Sequence, residues 1–360
     1  MRRVELKDGA KPEVTVGRSA ITSRIASLDG LRALSIAAVI FGHLAGTRNF
    51  PLHSLYFAYL YADVGVRMFF VISGFLITTL LQRDYAESGT IHLKEFYVRR
   101  AYRILPAAYA YMILISTIFH ARVSGKDIAL AFTYLTSYSV YRPWLFGHLW
   151  SLSVEEQFYF LWPAAMMMGP WMARHVAWAT IVLSPALRMV LLLLGIFGMG
   201  VYFPTVADAL ATGCLLALFQ SRLERYSSFF AWRGFFLIWF LTLSVPLLAR
   251  PHARTFALVG LGALHLGLAL CIQNAIVARY RVLNMKPMVW IGTLSYSLYL
   301  WQQLFLDRSS QAWYAAFPAN LGMAILAGAI SYYAIERPAL RLRERRRPAW
   351  LASNSYTARN

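Results

Sequence analysis

The chain has 360 residues, 59% hydrophobic and only 14% charged, with a mean hydropathy of +0.50. A soluble domain carries about 25% charged residues, so this composition excludes an ordinary soluble domain and points to the membrane class. The formal charge of +19 raises nucleic-acid binding as a second class, and the placement of the 35 Lys and Arg residues decides it.

Apolar runs near the length needed to cross a bilayer fall at about 28–45, 64–82, 104–120, 148–168, 176–198, 205–219, 234–249, 255–276, 289–306 and 319–335. The sixth is short, as a tilted or re-entrant segment would be. With the N-terminus in the cytoplasm, the inner connections hold 26 Lys and Arg and the outer ones 7, while Arg67 and Arg188 fall inside spans. That asymmetry is the positive-inside rule, so the basicity is topological and no nucleic-acid partner is expected. Residues 1–27 are polar and basic, without the apolar core or small-residue cleavage site of a removable signal peptide. Cys214 and Cys271 lie in apolar runs and form neither a metal-ligand pattern nor a disulfide framework. The expected fold is all-α: a polytopic transmembrane bundle of about ten spans with both termini cytoplasmic. Its parts are an N-terminal tail at 1–27, one membrane domain at 28–337 and a basic C-terminal tail at 338–360.

Ionisable side chains inside such spans are expensive and are read as functional when a partner can be named. In LDGLRALSIAAVIFGH, Arg32 and His43 are eleven residues apart, which at 100° per residue returns to within about 20° of one face, roughly 16 Å along the axis. Asp29, three residues before Arg32, can pair with it. In FFVISGFLIT, Ser73 and Gly74 permit close helix approach. In FYVRRAYRILPAAY, Arg100 and Arg103 stand one turn apart, a pair suited to gripping phosphate, although positive-inside placement alone also explains them. HLWSLSVEEQFYFLWP puts His148, Ser151 and Glu155 on one helix face, while Glu156 points about 100° away and reads as interfacial. Asp208, in DALATGCLLAL, needs an internal partner, for which Arg67 and Arg188 are the available cations. Gln302 closes the hydroxyl-rich SYSLYLWQ, and ERPALRLRERRR ends the last span at Pro338.

Taken together, these stretches resemble the acyltransferase 3 family of integral membrane O-acyltransferases, from about Leu28 to Arg343. The resemblance implies transfer of an acyl group, most often acetyl from acetyl-CoA, to a hydroxyl of a carbohydrate such as a surface polysaccharide or a lipid-linked glycan. It places the protein in the inner (plasma) membrane of a bacterium, in contact with the lipid bilayer. The family's basic residue eleven positions before a histidine falls on Arg32 and His43, its Arg-x-x-Arg on Arg100 and Arg103, and its Trp-Ser-Leu…Glu-x-Gln-Phe-Tyr on Trp150 to Tyr159. Two positions depart from relatives: Val206 where an Arg is frequent, and Gln302 where a His is common. A soluble extracytoplasmic domain that some members append is not present in this sequence, so a separate periplasmic partner is an option.

An alcohol attacking a thioester needs a general base, and histidine titrates in the right range. The expected roles are His43 as base, Glu155 orienting or charge-balancing it, and His148 as rival base or relay. Arg100 and Arg103 hold the cofactor phosphates and Arg32 lines the route between; Asp29, Ser73, Ser151, Asp208 and Gln302 complete the polar lining. No metal is expected. An acylated His43 is an alternative if the group crosses in two steps. Buried Asp, Arg, Glu and His would also suit a transporter, against which the lack of an evident inverted repeat counts, or an acyl conduit serving a separate periplasmic transferase.

Overall fold

A computed structural model describes residues 25–52, 55–196, 199–248 and 253–345, and among these there is no β-strand. Most of the two expected tails, residues 1–24 and 346–360, lies outside the described residues. The helices are α1 Ala26–Leu44, α2 Leu55–Ser88, α3 Leu93–Ile118, α4 Gly125–Phe132, α5 Trp144–Gly147, α6 Leu149–Met167, α7 Pro170–Leu193 and α8 Phe203–Leu218. They continue as α9 Gln220–Leu223, α10 Ser227–Phe230, α11 Phe236–Ser244, α12 Ala253–Thr255, α13 Leu261–Ala278, α14 Lys286–Phe305, α15 Ala319–Ser331 and α16 Arg337–Arg345.

Helices occupy all ten apolar runs, but five of them are both long and apolar enough to cross a membrane: Ala26–Leu44, Ala58–Ser88, Leu93–Ile118, Pro170–Leu193 and Phe256–Ala278. A sixth is added if Phe203–Leu218 and Gln220–Phe230, bent by 61° at their junction, count as one broken span. The shortfall from ten has local causes. Glu155, Glu156 and Gln157 lower the hydropathy of α6, α11 is only nine residues long, and α15 ends after 13 residues in a π-helical segment at Tyr332–Glu336. That π segment also corrects the expectation at Pro338. The helix continues through it to Arg345, with Pro338 in the first turn after the irregular segment.

The core is built on α1 and α2. The α2 window is 78% buried inside the protein and that of α7 only 17%, so α7 is a peripheral helix presenting Val182, Leu183 and Leu193 outward. α1 packs against both α2 and α14, and α2 packs along α8. Backbones touch at glycines. A Cβ on Gly74 would lie 2.0 Å from Leu210 O, one on Gly213 2.0 Å from Val71 O, and one on Gly292 1.8 Å from Asp29 O. Small residues permit this approach where lipid supplies no hydrophobic drive between helices, so the reading of Gly74 as a packing residue holds.

The connection between α3 and α6 was expected to be an outer loop, and it is not a simple one. α4 starts with a Ser124–Asp127 capping box, and the chain then folds back against α3 and α6. Tyr109 Oη donates to Phe132 O (3.4 Å), Gln157 Nε2 to Tyr134 O (3.1 Å) and Tyr138 Oη to Gln157 Oε1 (3.0 Å). Gln157 thereby holds an otherwise irregular segment in place.

Candidate active site

His43 lies in the last turn of α1. Its Nδ1 is 2.9 Å from Gln302 Oε1 on α14, and its ring meets Trp144 edge-on at 5.5 Å between centroids. A chain of amides fixes the proton. Gln303 Nε2 donates to Trp144 O (2.8 Å), which leaves Gln303 Oε1 to accept from Gln302 Nε2 (3.3 Å), and Gln302 Oε1 then accepts from His43 Nδ1–H. Trp144 Nε1 closes the loop on Gln303 O (2.7 Å). The neutral imidazole is therefore held as the Nδ1–H tautomer, and Nε2 makes no hydrogen bond among the described residues.

Arg308 holds the helix end that carries His43. Its Nε donates to Ala45 O (2.6 Å) and its Nη2 to Gly42 O (2.8 Å), satisfying carbonyls that α1 leaves open. The guanidinium also lies over Tyr59 and Trp144, at 4.6 and 5.9 Å, and bonds the Tyr59 hydroxyl. Next to it, burial would raise the Asp307 carboxyl, but Ser309 and Arg122 outweigh this and hold it below the usual carboxylate range.

His148 caps α6 on the same level, within electrostatic reach of His43. It is 4% exposed, packs edge-on against Tyr111 at 5.3 Å and beside Tyr299 at 5.5 Å, and its ring makes at most one long hydrogen bond, to the Leu300 backbone. Ser151 does not touch that ring. It pairs with Tyr299 Oη (2.6 Å), and both hydroxyls reach His148 O.

Glu155 sits seven residues further along α6, roughly 10 Å deeper at 1.5 Å per residue, level with Arg32 rather than His43. Its Oε2 accepts from Tyr159 Oη (3.2 Å), which in turn pairs with Ser73 Oγ (2.7 Å), and Arg100 and Arg32 lie within electrostatic reach. The expected His43–Glu155 contact is therefore replaced by His43–Gln302. The two helices run antiparallel, and depth, not face, decides which residues meet.

Around Glu155 the structure brings together the three expected arginines. Arg32 feels Arg103, Asp29 and Glu155; Arg100 lies 4.8 Å over the Tyr159 ring; Arg103 is balanced by Glu336, which also accepts from Ser297 Oγ (3.1 Å). None of the three guanidinium groups donates a hydrogen bond to a protein group among the described residues. Glu336 was not singled out from the sequence, because it stands in a stretch that reads as the end of a span.

Asp208 belongs elsewhere. Its Oδ2 pairs with Arg188 Nη2 (2.9 Å) and lies 3.4 Å from His265 Nδ1, while His265 Nε2 meets Arg67 Nη1 (3.1 Å) and Arg67 Nε bonds Asp63 Oδ2 (2.6 Å). Arg188 Nη1 also donates to Thr205 O (2.6 Å). Both cations offered as partners are thus used, Arg188 directly and Arg67 only through His265, a lone polar residue of an apolar run. This chain ties α2, α7, α8 and α13 together, apart from the histidine site. No cluster able to hold a metal occurs among the described residues.

The described helices thus gather a half-buried histidine, three arginines that donate no hydrogen bond to a protein group among the described residues, and their acidic neighbours on the inner helices of the bundle. The chain belongs to the acyltransferase family described as Acyl_transf_3, acyltransferase domain, which matches residues 25–335. It is 28% identical over 348 residues to peptidoglycan O-acetyltransferase OatA of Listeria monocytogenes, covering 87% of this chain and 54% of that protein. It is 27% identical over 363 residues to the putative peptidoglycan O-acetyltransferase YrhL of Bacillus subtilis, with the same two coverages. A putative O-acetyltransferase of Staphylococcus aureus is 34% identical over 162 residues, 40% of this chain and 25% of that protein. The chain thus spans about half the length of the first two relatives. No solved structure matches it.

Proposed function

We propose that the chain is a multi-pass O-acyltransferase of a bacterial inner membrane, with about ten crossings and both termini in the cytoplasm. It moves an acyl group, most simply acetyl, from acyl-CoA to a hydroxyl of a carbohydrate; the names of the relatives favour peptidoglycan or its lipid-linked precursor. The observation that carries this reading is His43, with Nδ1–H anchored by Gln302 and Nε2 unengaged. His43 Nε2 takes the proton of the acceptor hydroxyl as its oxygen attacks the thioester carbonyl carbon; the C–S bond breaks and the imidazolium returns the proton to the departing thiolate. His148, shielded from water beside it, relays or shares that proton. Three arginines without protein hydrogen bonds suit the phosphates of an acyl-CoA: Arg100 and Arg103 grip them and Arg32 lines the route along the α1 stripe towards His43. Asp29, Glu155 and Glu336 supply the countercharge that keeps the cluster stable when the donor is absent. No step requires a metal or nucleic acid, and a separate periplasmic partner can receive the acyl group when the final acceptor lies beyond the membrane.

The test is acetyl transfer from labelled acetyl-CoA to a lipid-linked glycan in membranes carrying the protein, beside His43→Ala and Arg103→Ala. Transfer is expected in the wild type, its loss in the first variant and a raised apparent KM for acetyl-CoA in the second. Uptake of label without acceptor modification would instead indicate a transporter or conduit.

A further inference from the structure

A cavity of about 540 Å³ opens on the flank of the bundle between α3, the folded-back segment after α4, and α6. Such a volume lies within the range of small-molecule sites. Two polar residues of its wall are unspent: Glu156 Oε1 and Tyr134 Oη are both buried and both lack a hydrogen-bond partner. They lie within electrostatic reach of each other. Tyr134 is the left-handed residue (φ 55°) of the Schellman motif that ends α4, with Leu135 N–H donating to Leu130 O (2.8 Å) and Tyr134 N–H to Ala131 O (3.2 Å), and Gln157 Nε2 also donates to Tyr134 O. Glu156, the residue that reads from sequence as an interfacial bystander, thus lies beside an unpartnered phenol in the wall of a space large enough for a ligand.

The rim of the cavity is of opposite character. Leu135, Tyr138, Phe160 and Leu161 are 41%, 45%, 72% and 52% exposed, on a face that a membrane protein turns to lipid. An apolar, laterally open rim over a carboxyl and a phenol matches an amphiphile whose head carries hydroxyl groups. The carboxyl accepts from ring hydroxyls, the phenol accepts or donates, and the aromatic walls stack on sugar faces. Arg100, on the same wall, is already stacked over Tyr159 and belongs to the donor cluster.

We infer that this cavity admits the sugar of a lipid-linked glycan sideways from the bilayer, with the lipid along Leu135, Phe160 and Leu161 and the sugar hydroxyls at Glu156 and Tyr134. The inference rests on the acyltransferase reading and deepens it, by fixing the acceptor as membrane-borne and giving it a lateral entry that adjoins the donor cluster at Arg100.

The test uses the full chain in nanodiscs with a photoreactive polyprenyl-diphosphate-linked N-acetylglucosamine, crosslinking being mapped by mass spectrometry in the wild type, Glu156→Gln and Tyr134→Phe. Both substitutions keep side-chain volume, so either one serves if the other fails to fold. Crosslinks on the α4–α5 connection and on α6 are expected, falling about tenfold in Tyr134→Phe, as loss of one hydrogen bond to a hydroxyl predicts, and by less in Glu156→Gln, whose amide oxygen still accepts. Excess CoA should not displace the probe. Crosslinks lying elsewhere, unchanged labelling in both variants, or displacement by CoA would overturn the proposal, the last by making the cavity part of the donor site. Labelling of the cavity in a wild-type protein that transfers no acetyl from acetyl-CoA would keep the binding site and defeat the acyltransferase reading, so the two failures are distinguishable.

Discussion

Two polar systems cross the bundle, and they are built on opposite principles. In the network Asp63–Arg67–His265–Asp208–Arg188 each charge meets an opposite charge or an imidazole, although Arg188 Nε, Asp208 Oδ1 and His265 Nδ1 make no hydrogen bond, and its members join α2, α7, α8 and α13. The site around α1 does the reverse. Its arginines face carboxylates without hydrogen-bonding them, His148 has no side-chain partner, and His43 is restrained at one nitrogen only. A buried pair that satisfies itself supports architecture, whereas polar groups left open in a costly environment are explained by what they bind.

The sharpest way to break this contrast is on the Asp208 network. Arg188→Met leaves Asp208 buried without its charge partner and is expected to destabilise the fold by about 3–5 kcal/mol, read as a fall in melting temperature and in membrane yield. Adding Asp208→Leu should restore much of the loss, since removing both charges leaves neither unpaired. Equal tolerance of Arg188→Met and wild type would show that the network is not structural. Arg103→Ala should lower the melting temperature less than Arg188→Met, because buried Glu336 keeps its Ser297 hydrogen bond, but raise the apparent KM for acetyl-CoA about 10–100-fold, as lost charged hydrogen bonds to phosphate predict. Unchanged affinity would remove Arg103 from the donor site.

A smaller effect is expected one step back from the histidine. Gln303→Leu removes the anchor that orients Gln302, so the imidazole can take either tautomer; kcat should fall about tenfold with little change in KM for either substrate, an expected size for a lost positioning bond. A rise in KM alone would make Gln303 a binding residue instead. The smallest effect lies outside the bundle, at the α2–α3 turn, where His92 bonds Asp84 through Nδ1 (3.0 Å) and through its backbone N–H (2.7 Å). The Asp84 hydrogen bond holds His92 above the usual histidine value. The folded-state value being the raised one, its support for the turn is full below the unfolded histidine range and fades as pH rises through the folded value. Hydrogen exchange of the turn should therefore quicken from pH 6 to pH 8 beyond the intrinsic base-catalysed increase, and His92→Gln should abolish that excess.

How much of this was legible in the sequence depended on whether the deciding relation is local. The Arg32–His43 stripe follows from helical arithmetic, and so does the contact of Ser73-Gly74 with a neighbouring helix. The partner of His43 does not. Glu155 shares a face with His148, yet its depth along an antiparallel helix places it beside Arg32, and only assembly of α1, α6 and α14 reveals this. Gln303 acts through the backbone of Trp144, 159 positions away, and no spacing rule reaches that far. His265 is a lone polar residue in an apolar run, for which nothing nearby names a partner. The segment after Gly125 falls between two apolar runs and is therefore read as an outer connection; its inward packing rests on Gln157, a residue of another helix.

The central claim is that Gln303 and Gln302 hold His43 as the Nδ1–H tautomer with Nε2 free to take a proton. Nitrogen-15 NMR of histidine-labelled protein in bilayers, with His43 assigned by difference from His43→Asn, tests it directly. A pyrrole-type Nδ1 and a pyridine-type Nε2 are expected for His43 at neutral pH, with both populated once Gln303→Leu is introduced. A pyridine-type Nδ1 in the wild type would contradict the account, since Nε2 would then carry the proton it is said to accept.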